Sequence, residues 1–257
     1  DLDGDGVQDD GEPPIEGVKV TLFDLGGNVV GMQTTGADGL YGFNNLVPGN
    51  YYLSFMLPNG SPYIATLPNQ GGDDAKDSDV SPVDGETDTF ALGPGESDQT
   101  RDAGYVKPIQ IGDKVWEDDG DGIQEGGEPG IDGVTVTLYD CDGNAVNSTV
   151  TAGGGLYLFS SDANGDPLRP GCYRVVFSDL PGGYQFTTPD QGGDDGKDSD
   201  ANPNTGSTGD FNVPSGAVTL LWDAGLLRPT PTPTKTHTPT NTATATHTAT
   251  PTNTPTH

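Results

Sequence analysis

Val18, Val20 and Leu22 alternate with Lys19 and Thr21, and Tyr51, Leu53 and Phe55 alternate with Tyr52 and Ser54. A period of two places each apolar set on one face of a strand. The same alternation returns at Val134, Val136 and Leu138 and at Tyr173, Val175 and Phe177. Turn signals separate these runs: Gly26-Gly27-Asn28, Pro48-Gly49, Asp142-Gly143-Asn144 and Pro170-Gly171. Strands spaced roughly ten residues apart, with no helical period among them, predict an all-β fold of the sandwich type. The tyrosines and phenylalanines of these runs are expected to fill the core.

The pattern occurs twice. Asp3-Gly4-Asp5-Gly6-Val7-Gln8 recurs 116 residues later as Asp119-Gly120-Asp121-Gly122-Ile123-Gln124, and Gly39-Leu40-Tyr41 returns as Gly155-Leu156-Tyr157 at the same offset. Further on the offset is 121, linking Gln70-Gly71-Gly72-Asp73-Asp74 to Gln191-Gly192-Gly193-Asp194-Asp195 and Asp102-Ala103-Gly104 to Asp223-Ala224-Gly225. A hairpin-loop insertion around Asp162 to Arg169 accounts for most of the drift. Two copies of one domain are therefore expected, over residues 1–106 and 107–228. Ile109 to Trp116 reads as a first strand of the second copy. The first copy begins too late to contain its counterpart, so it is expected to lack an edge or inner strand and to be the less stable.

From Pro229 the pattern changes: Thr takes every second position through Thr256, with no apolar stripe to bury. Residues 229–257 are expected to be a disordered Thr/Pro-rich spacer, extended by polyproline II to a span on the order of 90 Å. Dense Thr with Pro is also the pattern of O-glycosylated stalks.

Composition sharpens this picture. Across 257 residues there are 40 Gly and 22 Pro, with 31% hydrophobic residues, which argues against a helical protein. Asp+Glu 39 against Lys+Arg 10 gives a formal net charge of −29. Such a surface repels nucleic acid and anionic membranes, so neither is an expected partner. No apolar run is long enough for a transmembrane helix. The chain starts without Met and inside a motif, so it reads as a fragment whose N-terminus is silent about export.

The carboxylates fall at spacings that suit a cation. Asp1-x-Asp3-x-Asp5-Gly6-x5-Glu12 fits the calcium-loop template at every fixed position, with the Val7 carbonyl as a further ligand. Calcium takes six to eight oxygens, and alternate carboxylates on a tight loop converge on one point. The second copy offers Glu117, Asp119, Asp121, the Ile123 carbonyl and Glu128, with Asp118 a substitute should Glu117 reach poorly. A second acidic segment also repeats. Asp73, Asp77 and Asp79 correspond to Asp194, Asp198 and Asp200, and such crowded carboxylates repel one another unless a cation sits among them. Asp102 and Asp223 are candidates to join either site. Ca2+ is favoured over magnesium, which keeps a water-rich shell.

Together, D-x-D-G-[VI]-Q, G-L-Y-x-F, P-G-x-Y, D-S-D and D-A-G, in that order in both copies, resemble the SdrD B-like domains of bacterial surface proteins. Those belong to the wider Cna-B-type, immunoglobulin- or prealbumin-like sandwiches. The resemblance spans nearly all of residues 1–228. It implies calcium-stiffened spacer modules that hold another domain away from the cell, with Asp1, Asp3, Asp5, Asp119 and Asp121 as ligands, and more weakly Asp77, Asp79, Asp198 and Asp200. Glu117 departs from the pattern. Some Cna-B relatives carry a Lys–Asn or Lys–Asp isopeptide bond; Lys114 and Asp223 are the pair that position allows, although an ordinary exposed Lys114 is the preferred reading. Cys141 and Cys172 fall at the end of one predicted strand and the start of another, and in an exported protein a disulfide is preferred to free thiols.

No catalytic constellation is visible. All three His lie in the tail, neither Cys belongs to a CxxC motif, and no Gly-rich loop precedes a helix. The chain is expected to be a non-enzymatic, extracellular or cell-surface spacer. The alternatives are an adhesive module for an extracellular protein or polysaccharide, or an accessory domain of a larger secreted hydrolase.

Overall fold

The computed structural model describes residues 1–228; the expectations for the Thr/Pro-rich segment 229–257 lie outside the described residues. In the first repeat the strands are β1 (Lys19–Asp24), β2 (Val29–Thr34), β3 (Gly49–Met56), β4 (Ile64–Ala65), β5 (Phe90–Leu92) and β6 (Tyr105–Val106). In the second they are β7 (Gln110–Asp118), β8 (Thr135–Asp140), β9 (Ala145–Val150), β10 (Leu156–Phe159), β11 (Gly171–Ser178), β12 (Gln185–Phe186), β13 (Phe211–Val213), β14 (Val218–Leu220) and β15 (Ala224–Leu227). A 3-10 turn at Pro181–Gly183 is the one helical element among the described residues. The fold is all-β.

One antiparallel sheet is built identically in both repeats. Its order is β2-β1-β3-β5 in the first and β9-β8-β11-β13 in the second. The register slips at Leu22/Phe23 in one and at Leu138/Tyr139 in the other, a β-bulge kept at the equivalent place. The turn after each first strand is closed the same way: Asp24 accepts the Gly26 and Asn28 amides, and Asp140 accepts the Asn144 amide. Short polar side chains that capture nearby backbone amides are what made these turns legible.

The predicted alternation faces the core. Val18, Val20, Leu22, Tyr51, Leu53, Phe55 and Val80 form the first apolar cluster. In the second, Val134, Val136, Leu138, Tyr173, Val175 and Phe177 are joined by Ile109 just before β7, by Ile111 and Val115 from β7, and by Ala224 and Leu226 from β15. That addition comes from a second sheet, β10-β7-β15-β12, with β14 also paired to β7. The first repeat keeps only the β4-β6 ladder of that sheet. The Asp162–Arg169 insertion closes as a tight turn, where Asp162 N–H donates to the Asp166 carbonyl at 2.8 Å.

Cys141 and Cys172 are joined as a disulfide, with Cα atoms 5.5 Å apart and a sequence separation of 31. The bond ties the β8–β9 turn to the start of β11. Closing a loop of this size stabilises by about 3–4 kcal/mol through the unfolded chain. Replacing both cysteines with Ser should lower the second repeat's unfolding free energy by that amount and its denaturation midpoint with it, and reductant should do the same to the unchanged protein. A midpoint indifferent to reductant would contradict this.

Candidate metal centre

Each D-G-D-G segment folds as a loop around one buried carboxylate. In the first repeat Asp1 fills that position. Its Oδ1 accepts the Gly4 amide at 2.6 Å, and its Oδ2 accepts the Gly6 amide at 3.0 Å and the Thr66 hydroxyl at 2.6 Å. Asp5 accepts the Val7 amide, and Glu12 accepts the amides of Leu2 and Asp9. The Asp1, Asp3 and Asp5 carboxylate oxygens converge within 4.8 Å of one another. Gly6 is required twice over: its φ is +83°, and a Cβ there would sit 2.7 Å from the Leu67 carbonyl.

In the second repeat the buried carboxylate is Asp118, not Glu117. Asp118 accepts the Gly120 and Gly122 amides at 3.1 Å and the Thr187 hydroxyl at 2.6 Å, the same set of partner types that Asp1 holds. Glu117 points the other way, to the Tyr184 hydroxyl at 2.7 Å and Arg228 at 2.9 Å. Consecutive residues of a strand face opposite sides, and β7 continues through Asp118. The loop from the buried carboxylate to its second glycine is one residue shorter here. The converging groups are Asp118, Asp119 and Glu128, and Asp119, Asp121 and Glu125. Glu125 was absent from the sequence-based set. Thr66 and Thr187 were missed as well, although they stand 121 residues apart, at the offset already established.

The second acidic segment is stitched against this loop. Val7 and Ile123 bridge to Asp77 and Asp198, Gln8 N–H donates to the Lys76 carbonyl at 2.6 Å, and Gln124 N–H donates to the Lys197 carbonyl. Asp77 and Asp198 are buried, and Asp77 Oδ1 has no hydrogen-bond partner. Asp73 and Asp194 stay exposed; Asp194 pairs with Lys197. Asp79 and Asp200 turn instead toward the closing segment, accepting the Asp102 and Asp223 amides at 2.9 and 2.8 Å.

Here the repeats diverge. In the first, Arg101 pairs with Asp79, Asp98 and Asp74. At the equivalent place in the second stands Trp222, stacked on Phe211 at 3.7 Å between ring centroids. Asp223 is 1% exposed, and neither of its oxygens has a hydrogen-bond partner. Burial, then the charges of Asp200 and Asp113, push its pKa up to about 10. Burial raises Asp200 to about 7 and Asp113 to about 6. Asp102 also rises to about 7, through burial and then Asp79 and Asp77, with Arg101 opposing. No ion pair among the described residues involves Asp200 or Asp223. Lys114 lies beside Asp113 on β7 and so faces away from Asp223, which leaves the isopeptide pairing without geometry. Buried carboxylate oxygens without partners, in an all-oxygen donor set, fit a hard divalent cation.

Fold and loops together define a tandem-repeat β-sandwich protein with paired acidic loops. The family model for the SdrD B-like domain matches residues 1–105 and again 109–226. Serine-aspartate repeat-containing protein F of Staphylococcus epidermidis is 39% identical over 230 residues, covering 89% of this chain and 12% of the relative. Serine-aspartate repeat-containing protein D of Staphylococcus aureus (strain Newman) is 40% identical over 209 residues, covering 80% of this chain and 15% of the relative. The chain thus spans a small part of the length of these relatives. Among solved structures, GBS52, the minor pilin of Streptococcus agalactiae, aligns over 90% of both chains at 17% identity and a TM-score of 0.33, an overlap too loose to build on. The chain belongs to the SdrD B-like domain family, and it is extracellular, secreted or attached to the cell surface. No helix among the described residues is long and apolar enough to cross a membrane.

Proposed function

We propose that the chain is a calcium-stiffened, non-enzymatic spacer of a bacterial surface protein. In this reading residues 1–106 and 107–228 are two sandwich domains. Asp1, Asp3 and Asp5 would hold one cation. Asp118, Asp119 and Asp121, with Glu125 and Glu128, would hold its counterpart. Buried Asp198 and Asp223, with half-buried Asp200, would hold another in the second repeat, where Trp222 replaces the Arg101 counter-ion. A cation there supplies the positive charge that lets crowded carboxylates stay ionised in a folded loop. Asp223 carries the argument: a carboxyl group with two unpartnered oxygens, buried among other carboxyls, is costly unless protonated or bound to a cation. The spacer reading is preferred to the adhesive one because the large exposed hydrophobics among the described residues are Leu, Val and Met, without an aromatic platform.

Thermal melting in calcium and in chelator tests the proposal. Saturation at about 100 times the dissociation constant should add about 2.7 kcal/mol per site. The pH dependence has a definite sign. Asp102, Asp113, Asp200 and Asp223 have folded pKa values raised above the usual 3.8, so the metal-free fold binds more protons than the unfolded chain. Its stability should therefore fall as pH rises from about 4 through about 7, and further as Asp223 ionises. Calcium needs the ionised groups, so its increment should grow across the same range. A melt unmoved by calcium at about pH 8 would sink the proposal.

A further inference from the structure

Lys107 and Pro108 connect the two repeats, between Val106 at the end of β6 and fully buried Ile109 just ahead of β7. So short a connection has little slack, and Pro108 fixes one of its backbone angles. Its polar groups are taken up by the second repeat. Lys107 N–H donates to Ser215 Oγ at 2.7 Å, and the Lys107 carbonyl accepts Gly216 N–H at 3.1 Å. Ile109 N–H donates to the Leu168 carbonyl at 3.0 Å, and Gln110 N–H to the Ala217 carbonyl at 2.9 Å. The connection is thus threaded between two turns of the second repeat, the Asp162–Arg169 insertion and the turn closed by Ala217 N–H to the Pro214 carbonyl.

The same two turns reach across to the first repeat. Arg169 Nη1 donates to the Ala65 carbonyl at 2.5 Å, and Ser215 N–H donates to the Leu2 carbonyl at 2.8 Å. Pro170 packs so closely on Gly4 that a Cβ there would lie 2.8 Å from the Pro170 carbonyl. Lys107 runs its stem along Gly216 and sets its ammonium group over the Tyr63 ring, 5.2 Å from the centroid. Arg169 is held in place before it reaches out. Asp162 accepts the Asn164 and Asp166 amides, the Tyr173 hydroxyl donates to the Arg169 carbonyl at 2.7 Å, and Leu168 is buried in the core. A guanidinium carried on so fixed a backbone loses little freedom when it binds a carbonyl.

These donors belong to the second repeat alone. Counted from Pro48-Gly49 and Pro170-Gly171, Arg169 corresponds to Val47; counted from β5 and β13, Ser215 corresponds to Pro94. Val has no side-chain donor, and Pro has neither an N–H nor a hydroxyl. Val47 is 74% exposed, whereas Arg169 is half-buried. Gly95 and Gly216 keep the same left-handed φ, +74° and +76°, so the two turns share a backbone and differ in the groups they present. The first repeat builds the same four-stranded sheet without the insertion, so that sheet does not explain it.

We propose that the Asp162–Arg169 insertion and the Pro214–Ala217 turn form an inter-repeat clamp, which holds the two repeats at one angle without any metal. What the clamp grips is specific: the Ala65 and Leu2 carbonyls and the backbone of Lys107. The pairing is also directional, because a repeat with Val and Pro at the two donor positions has nothing to offer those carbonyls. Arg169, Lys107 and Pro108 lie outside the acidic loops. The inference rests on hydrogen bonds and packing, and it is independent of whether those loops take calcium.

The test places spin labels at Val83 and Asn204, equivalent exposed positions in the two repeats, and reads the distance between them in the full chain by double electron–electron resonance. The unchanged protein should give one narrow distribution, in calcium and in chelator alike. Arg169→Val with Ser215→Pro, the first repeat's own residues at those places, should widen it about twofold or more, since loosely joined domains move by default. Arg169→Ala alone leaves the turn backbone as it is and should widen the distribution in the same way. Distributions as narrow in both variants as in the unchanged protein, or a broad one in the unchanged protein under both conditions, would overturn the proposal. Broadening of the unchanged protein in chelator only would assign the angle to a bound cation and overturn it as well. A melt unmoved by calcium beside a narrow, Arg169-dependent distribution would remove the calcium reading and leave the clamp standing.

Discussion

Asp118→Ala is expected to destabilise the second repeat by roughly 3 kcal/mol or more and to abolish its loop's calcium response, while Glu117→Ala leaves both close to the unchanged protein. Asp118 is 4% exposed and accepts three hydrogen bonds, from the Gly120 and Gly122 amides and the Thr187 hydroxyl. Truncation leaves three donors without their acceptor in a site closed to water, at about 1–3 kcal/mol for each one that stays unsatisfied. Glu117 bonds to Tyr184 and Arg228 at the surface, where solvent screens an ion pair and can replace its hydrogen bonds. Denaturant titrations of the two variants, with and without calcium, separate the residues. Should Glu117→Ala prove the more damaging, the placement of the loop's first ligand would be wrong.

Gly155→Ala should cost the same repeat about 3 kcal/mol or more, well beyond the cost of Gly153→Ala two residues earlier. Both glycines have positive φ, +83° and +67°, so each substitution carries about 1–2 kcal/mol of left-handed backbone strain. Only Gly155 also lacks room. A Cβ there would meet the Val115 carbonyl, the Ile131 amide nitrogen at 2.8 Å and Gly130 Cα at 3.0 Å. These are backbone atoms held by Val115 N–H to the Gly155 carbonyl and Ile131 N–H to the Val115 carbonyl, both at 2.8 Å, so they cannot rotate away as a side chain could. Asp132 fixes the turn further by accepting the Gly154 and Gly155 amides. Equal denaturation midpoints for the two variants would show that β7 and this turn are not so closely packed.

Much of this architecture was legible because its signals are local. Val20, Leu22, Val136 and Leu138 declare their strands through alternation, and each is buried where that alternation places it. Ile109 to Trp116 was read as a strand, and Gln110–Asp118 is one. The loops were less legible. A template counts residues, so Glu117 took the place of Asp1; which carboxylate turns inward depends on where β7 ends and which face it buries. Asp102 and Asp223 were noticed as the ends of the repeats. The burial of Asp223, and the role of Asp113 beside it, come from β7 and β15 lying side by side although their residues are more than a hundred apart in the chain.

By itself, then, the order of residues determined an all-β chain, its doubled pattern, its turns and the spacing of its acidic loops. Each of these follows from backbone geometry and side-chain periodicity within a few residues, or from comparing one half of the chain with the other. Tertiary structure alone decided that Arg101 pairs with three carboxylates while Trp222 stacks on Phe211, and that Asp223 lies buried without a partner. The physical reason is that burial and charge pairing depend on which distant segments become neighbours, and no local period records that.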